Sequence, residues 1–287
     1  MSAGKNVEIP PEWERLELDG LKGVILVIGG TDTGKTTLAH YLRRKLVLAG
    51  RSVSVIDGDP GQGILGPPGT MNMVTGSKNK TGQRRGWFVG STSPRGHMLP
   101  LVVGAQRLVD SARQFGVETI IYDTTGLVDR NQGGIALKTA KIDLLRPAVI
   151  IAIQGESELE ELLKPLRRLS RVQLIEMKPA SAVIGRSQET RQENRAKRYA
   201  SYFSGAEEKS LFWPQKAVLP GLNFRPNCLL GFEGKDGFLE GLGIFLKEDR
   251  GRKEIIVLTP LKSFEAVESI RIGDVAVNQN TYQDKLI

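Results

Sequence analysis

The sequence predicts an α/β protein: a mostly parallel sheet with helices on its faces, followed by a small all-β domain. Three observations carry this. Short apolar runs alternate with stretches of helical periodicity from Gly23 to about residue 203, the pattern of parallel strands joined by helical crossovers. A glycine-rich segment joins the first apolar run to the first long helical stretch. After about residue 205, closely spaced glycines and β-branched runs replace the helical pattern, as in a small barrel or sandwich.

The elements follow in order. Residues 1–20 are polar, carry Pro10 and Pro11, and form a short lead-in. Val24–Ile28 is an apolar run ending in glycines, a strand buried on both faces. Leu38, Leu42, Leu46 and Ala49 recur at helical spacing and are closed by Gly50. Val53–Ile56, Thr119–Tyr122 and Val149–Ile153 are further strands, with helices over 103–115 and 133–145. A helical stretch over Leu159–Leu169 precedes a strand at Val172–Glu176. Residues 186–203 form an arginine-rich helix that lacks a strong apolar stripe, as expected at a surface or over a cleft. From Lys216 to Val277 only strands are expected. The domain organisation is therefore a lead-in over 1–20, a nucleotide-binding domain over 21–205 with an arginine-rich lid near 186–203, and a β domain over 206–287.

Composition narrows the class. The chain has 287 residues, 40% of them hydrophobic and 25% charged, ordinary values for a globular protein. No run of about 18 apolar residues occurs, so no transmembrane helix is expected. The N-terminus has no apolar secretory stretch. The one cysteine, Cys228, cannot close an intramolecular disulfide. A cytoplasmic protein without a membrane contact is expected. The net charge of +8 is partly local: Lys78, Lys80, Arg84 and Arg85 form one cluster, and Arg186, Arg191, Arg195, Lys197 and Arg198 another. The first cluster reads as a glycine-rich loop, either following a phosphate backbone or simply solvated. Beside it, Trp87 and Phe88 offer a ring to a base or a side chain to the core. His40 and His97 lack metal-ligand spacing and read as structural.

Gly29-Gly30-Thr31-Asp32-Thr33-Gly34-Lys35-Thr36 fits G-x-x-x-x-G-K-[ST], directly after a strand and directly before a helix. This is the context that a phosphate-binding loop requires. The glycines let backbone N–H groups turn inward as a nest for phosphates, and the helix adds its positive N-terminal end. The expected nucleotide-binding residues are Gly30, Thr31, Asp32, Thr33, Gly34, Lys35, Thr36 and Thr37. Lys35 would reach the β- and γ-phosphates of ATP, and the Thr36 hydroxyl would ligate Mg2+.

Asp57-Gly58-Asp59-Pro60-Gly61-Gln62 follows the second strand, at the carboxyl end where ligands of open α/β sheets gather. Two carboxylates so spaced can divide metal and nucleophile between them. Asp123, ending its own apolar run, has the form of a second metal-linked acid or of an acid in a strand-end turn.

Taken together, Gly29–Thr37, Asp57-x-Asp59-x-Gly61-Gln62 and Thr124-Thr125-Gly126 resemble the polynucleotide 5′-hydroxyl kinases, related to the kinase subunit of eukaryotic mRNA cleavage factor and to ribosomal-RNA-processing kinases. The resemblance continues through Phe88–Pro94, Arg186-Ser187, Tyr202-Phe203 and Leu258-Thr259-Pro260, and covers most of the chain. It implies that Asp59 is the general base toward a 5′-hydroxyl, with Asp57 or Asp32 supporting the metal. Arg186, with Arg191 second, matches the family's lid arginine. Gln62, Thr124, Thr125, Gly126 and Arg191 are expected to contact substrate. The family's Thr-x-Gly-Trp clasp ends here in Leu127, so stacking on a base cannot come from that position.

The resemblance implies a nucleic-acid partner with a 5′-hydroxyl end, RNA favoured and DNA second. It names no protein partner. Two other readings stand beside the kinase: a nucleotide-binding scaffold of an RNA-processing complex, and a regulatory P-loop NTPase. Against the latter, no N/T-K-x-D guanine-reading motif follows Ile153.

Overall fold

A computed structural model describes residues 9–77, 82–181 and 185–287. The elements in chain order are α1 (Pro11–Glu14), β1 (Gly23–Gly29), α2 (Lys35–Leu48), β2 (Val53–Asp57), β3 (Thr70–Gly76), β4 (Arg84–Phe88), α3 (Met98–Gln114), β5 (Thr119–Asp123), α4 (Gly134–Leu145), β6 (Val149–Ile153), α5 (Glu160–Leu166), β7 (Gln173–Met177) and α6 (Gln188–Tyr202). Strands β8 (Glu207–Phe212), β9 (Ala217–Leu219), β10 (Cys228–Glu233), β11 (Leu239–Asp249), β12 (Glu254–Thr259), β13 (Ser269–Val277) and β14 (Asp284–Leu286) complete the chain. The α/β class and the C-terminal β region are as the sequence predicts.

The chain forms two compact units. The first holds residues 1–56, 75–82 and 109–185; the second holds 57–74, 83–108 and 186–287. In the first, the strand order is β2-β5-β1-β6-β7, and β1 runs parallel to both β5 and β6. The apolar runs explain the burial: Ile25, Leu26, Val27 and Ile28 are inaccessible to solvent, because neighbouring strands take the backbone groups while helices cover the faces. The register sets Val27 beside Asp123 and Gly29 beside Ile153. The end of the P-loop strand is thereby aligned with the acid that ends β5.

In the second unit, antiparallel strands run in the order β14-β13-β10-β11-β12-β8, and β9 pairs in parallel with β13. Strand alternation divides the core between two faces. Cys228, Leu230 and Phe232 join one cluster with Ile255, Val257 and Ile270. Leu229 points the other way, into a cluster with Phe88, Tyr199, Phe203 and Leu242. That second cluster fastens both β4 and the arginine-rich α6 onto the β region. The arginine-rich stretch expected as part of the nucleotide-binding domain over 21–205 thus packs with the β region, and α6 does carry an apolar contact row in Tyr199, Tyr202 and Phe203.

Two local expectations are corrected. Arg84 and Arg85 belong to strand β4, which pairs antiparallel with β3, and not to a glycine-rich loop; Lys78 and Lys80 lie outside the described residues. Trp87 and Phe88 are both buried, so neither offers a ring to a base. Trp87 donates to the Pro100 carbonyl at 3.0 Å, and Phe88 fills the space above Gly231 that a side chain there would need.

Cys228 is fully buried, and burial pushes its thiol up to about 11. A thiol so held is a poor nucleophile at neutral pH, because the thiolate is the reactive form. The native protein is expected to resist iodoacetamide at pH 8 and to be alkylated once unfolded in urea, as mass spectrometry would record. Rapid labelling of the native protein would contradict this burial.

Candidate active site

The phosphate-binding loop is built by β1, the turn that follows it and the start of α2. Gly34 caps α2 with φ +94°, a left-handed conformation that glycine takes without steric cost. Gly29 has no room for a side chain: a Cβ there would lie 2.6 Å from the Ile153 carbonyl oxygen and from Thr33 Oγ1. Thr33 donates to the Gly30 carbonyl at 3.0 Å. The Lys35 ammonium donates to the same carbonyl and is nearly inaccessible, so its charge is held over the loop. Thr31 and Thr37 are exposed, and Asp32 is half-buried with φ +52°.

The Thr36 hydroxyl donates to Asp123 Oδ2 at 2.5 Å. This short contact joins Thr36 and Asp123, two of the oxygen donors that the sequence proposed for a metal along with Asp57. Asp123 is buried, a costly place for a carboxylate without compensating partners. Behind it, Thr124 Oγ1 donates to the Val27 carbonyl at 2.8 Å, and buried Lys138 donates to the Thr125 carbonyl at 2.9 Å. Thr31 Oγ1 lies 3.4 Å from the Gly126 carbonyl. Thr124, Thr125 and Gly126 are therefore fixed beside the P-loop within the first unit. Lys138 was not foreseen, since a lysine on a predicted helix reads as solvated.

Gly126 closes this arrangement: a Cβ there would fall 2.7 Å from Thr31 Cα and 2.9 Å from its nitrogen. Gly126→Val is expected to push the P-loop backbone out of place and weaken ATP binding about tenfold, equal to about 1.4 kcal/mol. Isothermal titration with ATP checks this, and unchanged affinity would separate Gly126 from the loop.

In the second unit, the Asp57–Gln62 segment is organised by its own carboxylates. Buried Asp57 accepts from the backbone N–H groups of Ile64 and, at 3.0 Å, Leu65. A side chain at Gly63 would collide with that carboxylate. Burial pushes the Asp57 carboxyl up and the neighbouring Asp59 charge adds to this, while the backbone donors and Arg198 oppose it. Asp59 is half-buried. Its Oδ1 accepts from Gly61 N and Gln62 N, each at 2.9 Å, and its Oδ2 accepts no hydrogen bond among the described residues. The Gln62 side chain turns back to the Gly61 carbonyl at 3.1 Å.

Helix α6 supplies two arginines, Arg195 and Arg198, to which the sequence assigned no role beyond a share in a charge cluster. Arg186, exposed, stands just before the Ser187 cap of α6, and Arg191 is half-buried in its first turns. Further along, Arg198 donates to the Gly66 carbonyl and lies beside Asp57 and Asp59. Arg195 Nε donates to both oxygens of Asp284 at 2.9 Å. The spacing of Arg191, Arg195 and Arg198 on one helical face was the available signal.

A strand, a glycine loop and a helix that present Lys-Thr beside a strand-end aspartate define a P-loop nucleotide-binding protein. The chain belongs to the family described as mRNA cleavage and polyadenylation factor CLP1 P-loop, whose model matches residues 29–205. Its relatives include polyribonucleotide 5′-hydroxyl kinases. That of Methanocaldococcus jannaschii is 33% identical over 64% of this chain and 51% of its own, about half its length. That of Pyrococcus abyssi is 27% identical over 93% of this chain and 91% of its own. The Clp1 kinase of Xenopus laevis is 28% identical over 70% and 48%. Among solved structures, Clp1p in its complex with a Pcf11p segment superposes with a TM-score of 0.67 at 13% identity, covering 88% of this chain and 74% of that one. This likeness is one of fold.

Proposed function

We infer that this chain is an ATP- and Mg2+-dependent polynucleotide kinase that phosphorylates the 5′-hydroxyl of RNA, with DNA as a second acceptor. The observation that carries the reading is the Asp59 carboxylate, one oxygen tied down by its own loop and the other accepting no hydrogen bond among the described residues. A general base needs such a fixed orientation and an open lone pair. Membership of a family whose relatives are 5′-hydroxyl kinases supports the substrate class.

In this reading the P-loop amides, Lys35 and Thr36 bind the triphosphate of ATP. The 5′-hydroxyl oxygen attacks the γ-phosphorus and passes its proton to Asp59. The bond from the γ-phosphorus to the bridging oxygen breaks, and ADP leaves with that electron pair. Arg186 or Arg191 would neutralise charge on the transferred group. Gln62 and Thr124–Gly126 would position the acceptor. Positioning and charge neutralisation supply most of the catalysis in such transfers.

Thr36 and Asp123 are hard oxygen donors that fit Mg2+, which usually takes one or two carboxylates and completes its shell with phosphates and water. Asp57 takes the N–H groups of residues 64 and 65 on its Oδ2, which supports a role in shaping the loop. Mg2+, when bound, supplies charge neutralisation across the β- and γ-phosphate oxygens. No helix among the described residues is long and apolar enough to cross a membrane.

The test is transfer of label from γ-labelled ATP to matched RNA and DNA oligonucleotides carrying either a 5′-hydroxyl or a 5′-phosphate. Label is expected on the hydroxyl forms alone, with RNA the better acceptor. Release of free phosphate without labelled oligonucleotide would point instead to a regulatory NTPase.

A further inference from the structure

The second unit contains a cavity of about 310 Å3 that the kinase chemistry does not use. Its size is at the lower end for ligand sites, roughly 300–1,000 Å3, enough for a monomer unit. The loop after Asp57 supplies Leu65 and Pro67, β3 and β4 supply Asn72 and Arg84, and α6 and β11 supply Tyr202 and Leu239. Every lining residue belongs to one compact unit.

The polar groups suit a phosphodiester with an attached sugar or base. Arg84 is exposed and makes no ion pair among the described residues. Arg85, its neighbour, pairs with Asp236 at 3.5 Å and lies over the Phe238 ring, so the positive charge of Arg84 is the one left to the cavity. Tyr202 Oη accepts the Leu242 N–H at 2.7 Å; its own proton has no acceptor among the described residues. Leu65, Pro67 and Leu239 give an apolar wall. One carboxylate, Glu240, also lines the cavity and suits donors on a base edge more than a second phosphate.

The cavity is connected to the acidic loop. Leu65, in its wall, donates its N–H to Asp57 at 3.0 Å, and the carbonyl of Gly66, the next residue, is held by Arg198. Filling the cavity would press on the segment that carries Asp59.

We propose that this cavity holds one nucleotide of the substrate RNA downstream of the reacting 5′ end, with its phosphate on Arg84 and the Tyr202 hydroxyl. The proposal rests on the kinase reading for the identity of the strand. It explains substrate grip without an aromatic clasp at Leu127.

The experiment measures binding of fluorescent 5′-hydroxyl RNAs of increasing length by anisotropy, and KM for the same series by label transfer. Wild-type affinity is expected to rise by a step once the strand is long enough to reach the cavity. Arg84→Ala should remove that step, weakening long RNAs about tenfold and leaving the dinucleotide and ATP unchanged. Its log–log salt slope should also fall by about 0.7, the loss of one single-strand phosphate contact. Arg168→Ala, an exposed charge in the other unit, should change none of these. Equal losses in both variants, or an Arg84→Ala protein with the wild-type length step, would overturn the proposal. Binding is read without turnover. Thus an RNA that binds through Arg84 and is never phosphorylated would sink the kinase reading and spare the cavity, while phosphorylation insensitive to Arg84 would do the reverse.

Discussion

Asp59→Asn is expected to lower the rate of phosphoryl transfer by about 10²–10⁴-fold, the range for losing a positioned general base, while ATP affinity stays unchanged. The amide keeps the shape and can still accept from Gly61 and Gln62 through its oxygen. It cannot take a proton at the other position. Single-turnover quench experiments report the chemical step, and titration with ATP reports the P-loop, which contains no part of Asp59. Asp57→Asn should act differently. Its carboxylate accepts from residues 64 and 65 inside the protein, so its loss should appear as altered stability together with altered rate. An Asp59→Asn enzyme of wild-type rate would remove this residue from the chemistry and leave orientation of the hydroxyl to other groups.

Asp284→Ala is expected to destabilise the protein by about 3 kcal/mol, because removing one member of a buried ion pair leaves the other uncompensated. The Asp284 carboxylate is buried. It accepts from Arg195 of the lid helix and, at 3.1 Å, from Thr92 Oγ1. Gln192 donates to its backbone carbonyl at 3.1 Å. A side chain at Gly61 would strike the Thr92 carbonyl, so the residue after Asp59-Pro60 packs on the segment that Asp284 holds. Strand β14 therefore braces both the lid helix and the acidic loop. Urea unfolding measures the stability. Activity measured well below the unfolding midpoint should also fall, since lid and loop lose a common anchor. A variant with wild-type stability and rate would make this bridge incidental.

These two residues mark where the sequence was legible and where it was not. The P-loop could be read because its strand, glycines, lysine and threonine are contiguous, and local backbone geometry decides their roles. Asp57 and Asp59 stood out as candidates because one ends a strand and the other follows it closely. The Thr36–Asp123 contact was half legible: each residue stood out, and the register of β1 with β5 brought them together. Asp284, near the C-terminus, was invisible because its partners Thr92 and Arg195 lie 192 and 89 residues away, and no periodicity encodes such a bridge. Lys138 was missed for a related reason, since a buried ammonium on a carbonyl looks in sequence like any surface lysine. Arg84 and Arg85 were placed in a loop because glycines flank them, yet pairing with β3 outweighed that local preference. Trp87 and Phe88 could be read as rings for bases or as core, and the fold decided for the core by setting one against α3 and the other on Gly231.

The β region also gains a physical role from these contacts. Its cluster of Phe88, Tyr199, Phe203 and Leu242 fixes the helix that carries Arg191 and that Arg186 shortly precedes, and β14 fastens the same helix by charge. Arg191 is thus carried on a packed helix and not on a free loop.

The most direct measurement locates the label after a single turnover. A 5′-hydroxyl RNA is incubated with γ-labelled ATP and Mg2+, quenched, and digested to mononucleotides. The account requires the label on the 5′ phosphate of the terminal nucleotide alone, and its absence when Lys35 is replaced by alanine. Label that remains in ATP, appears only as inorganic phosphate, or sits elsewhere in the strand would contradict it.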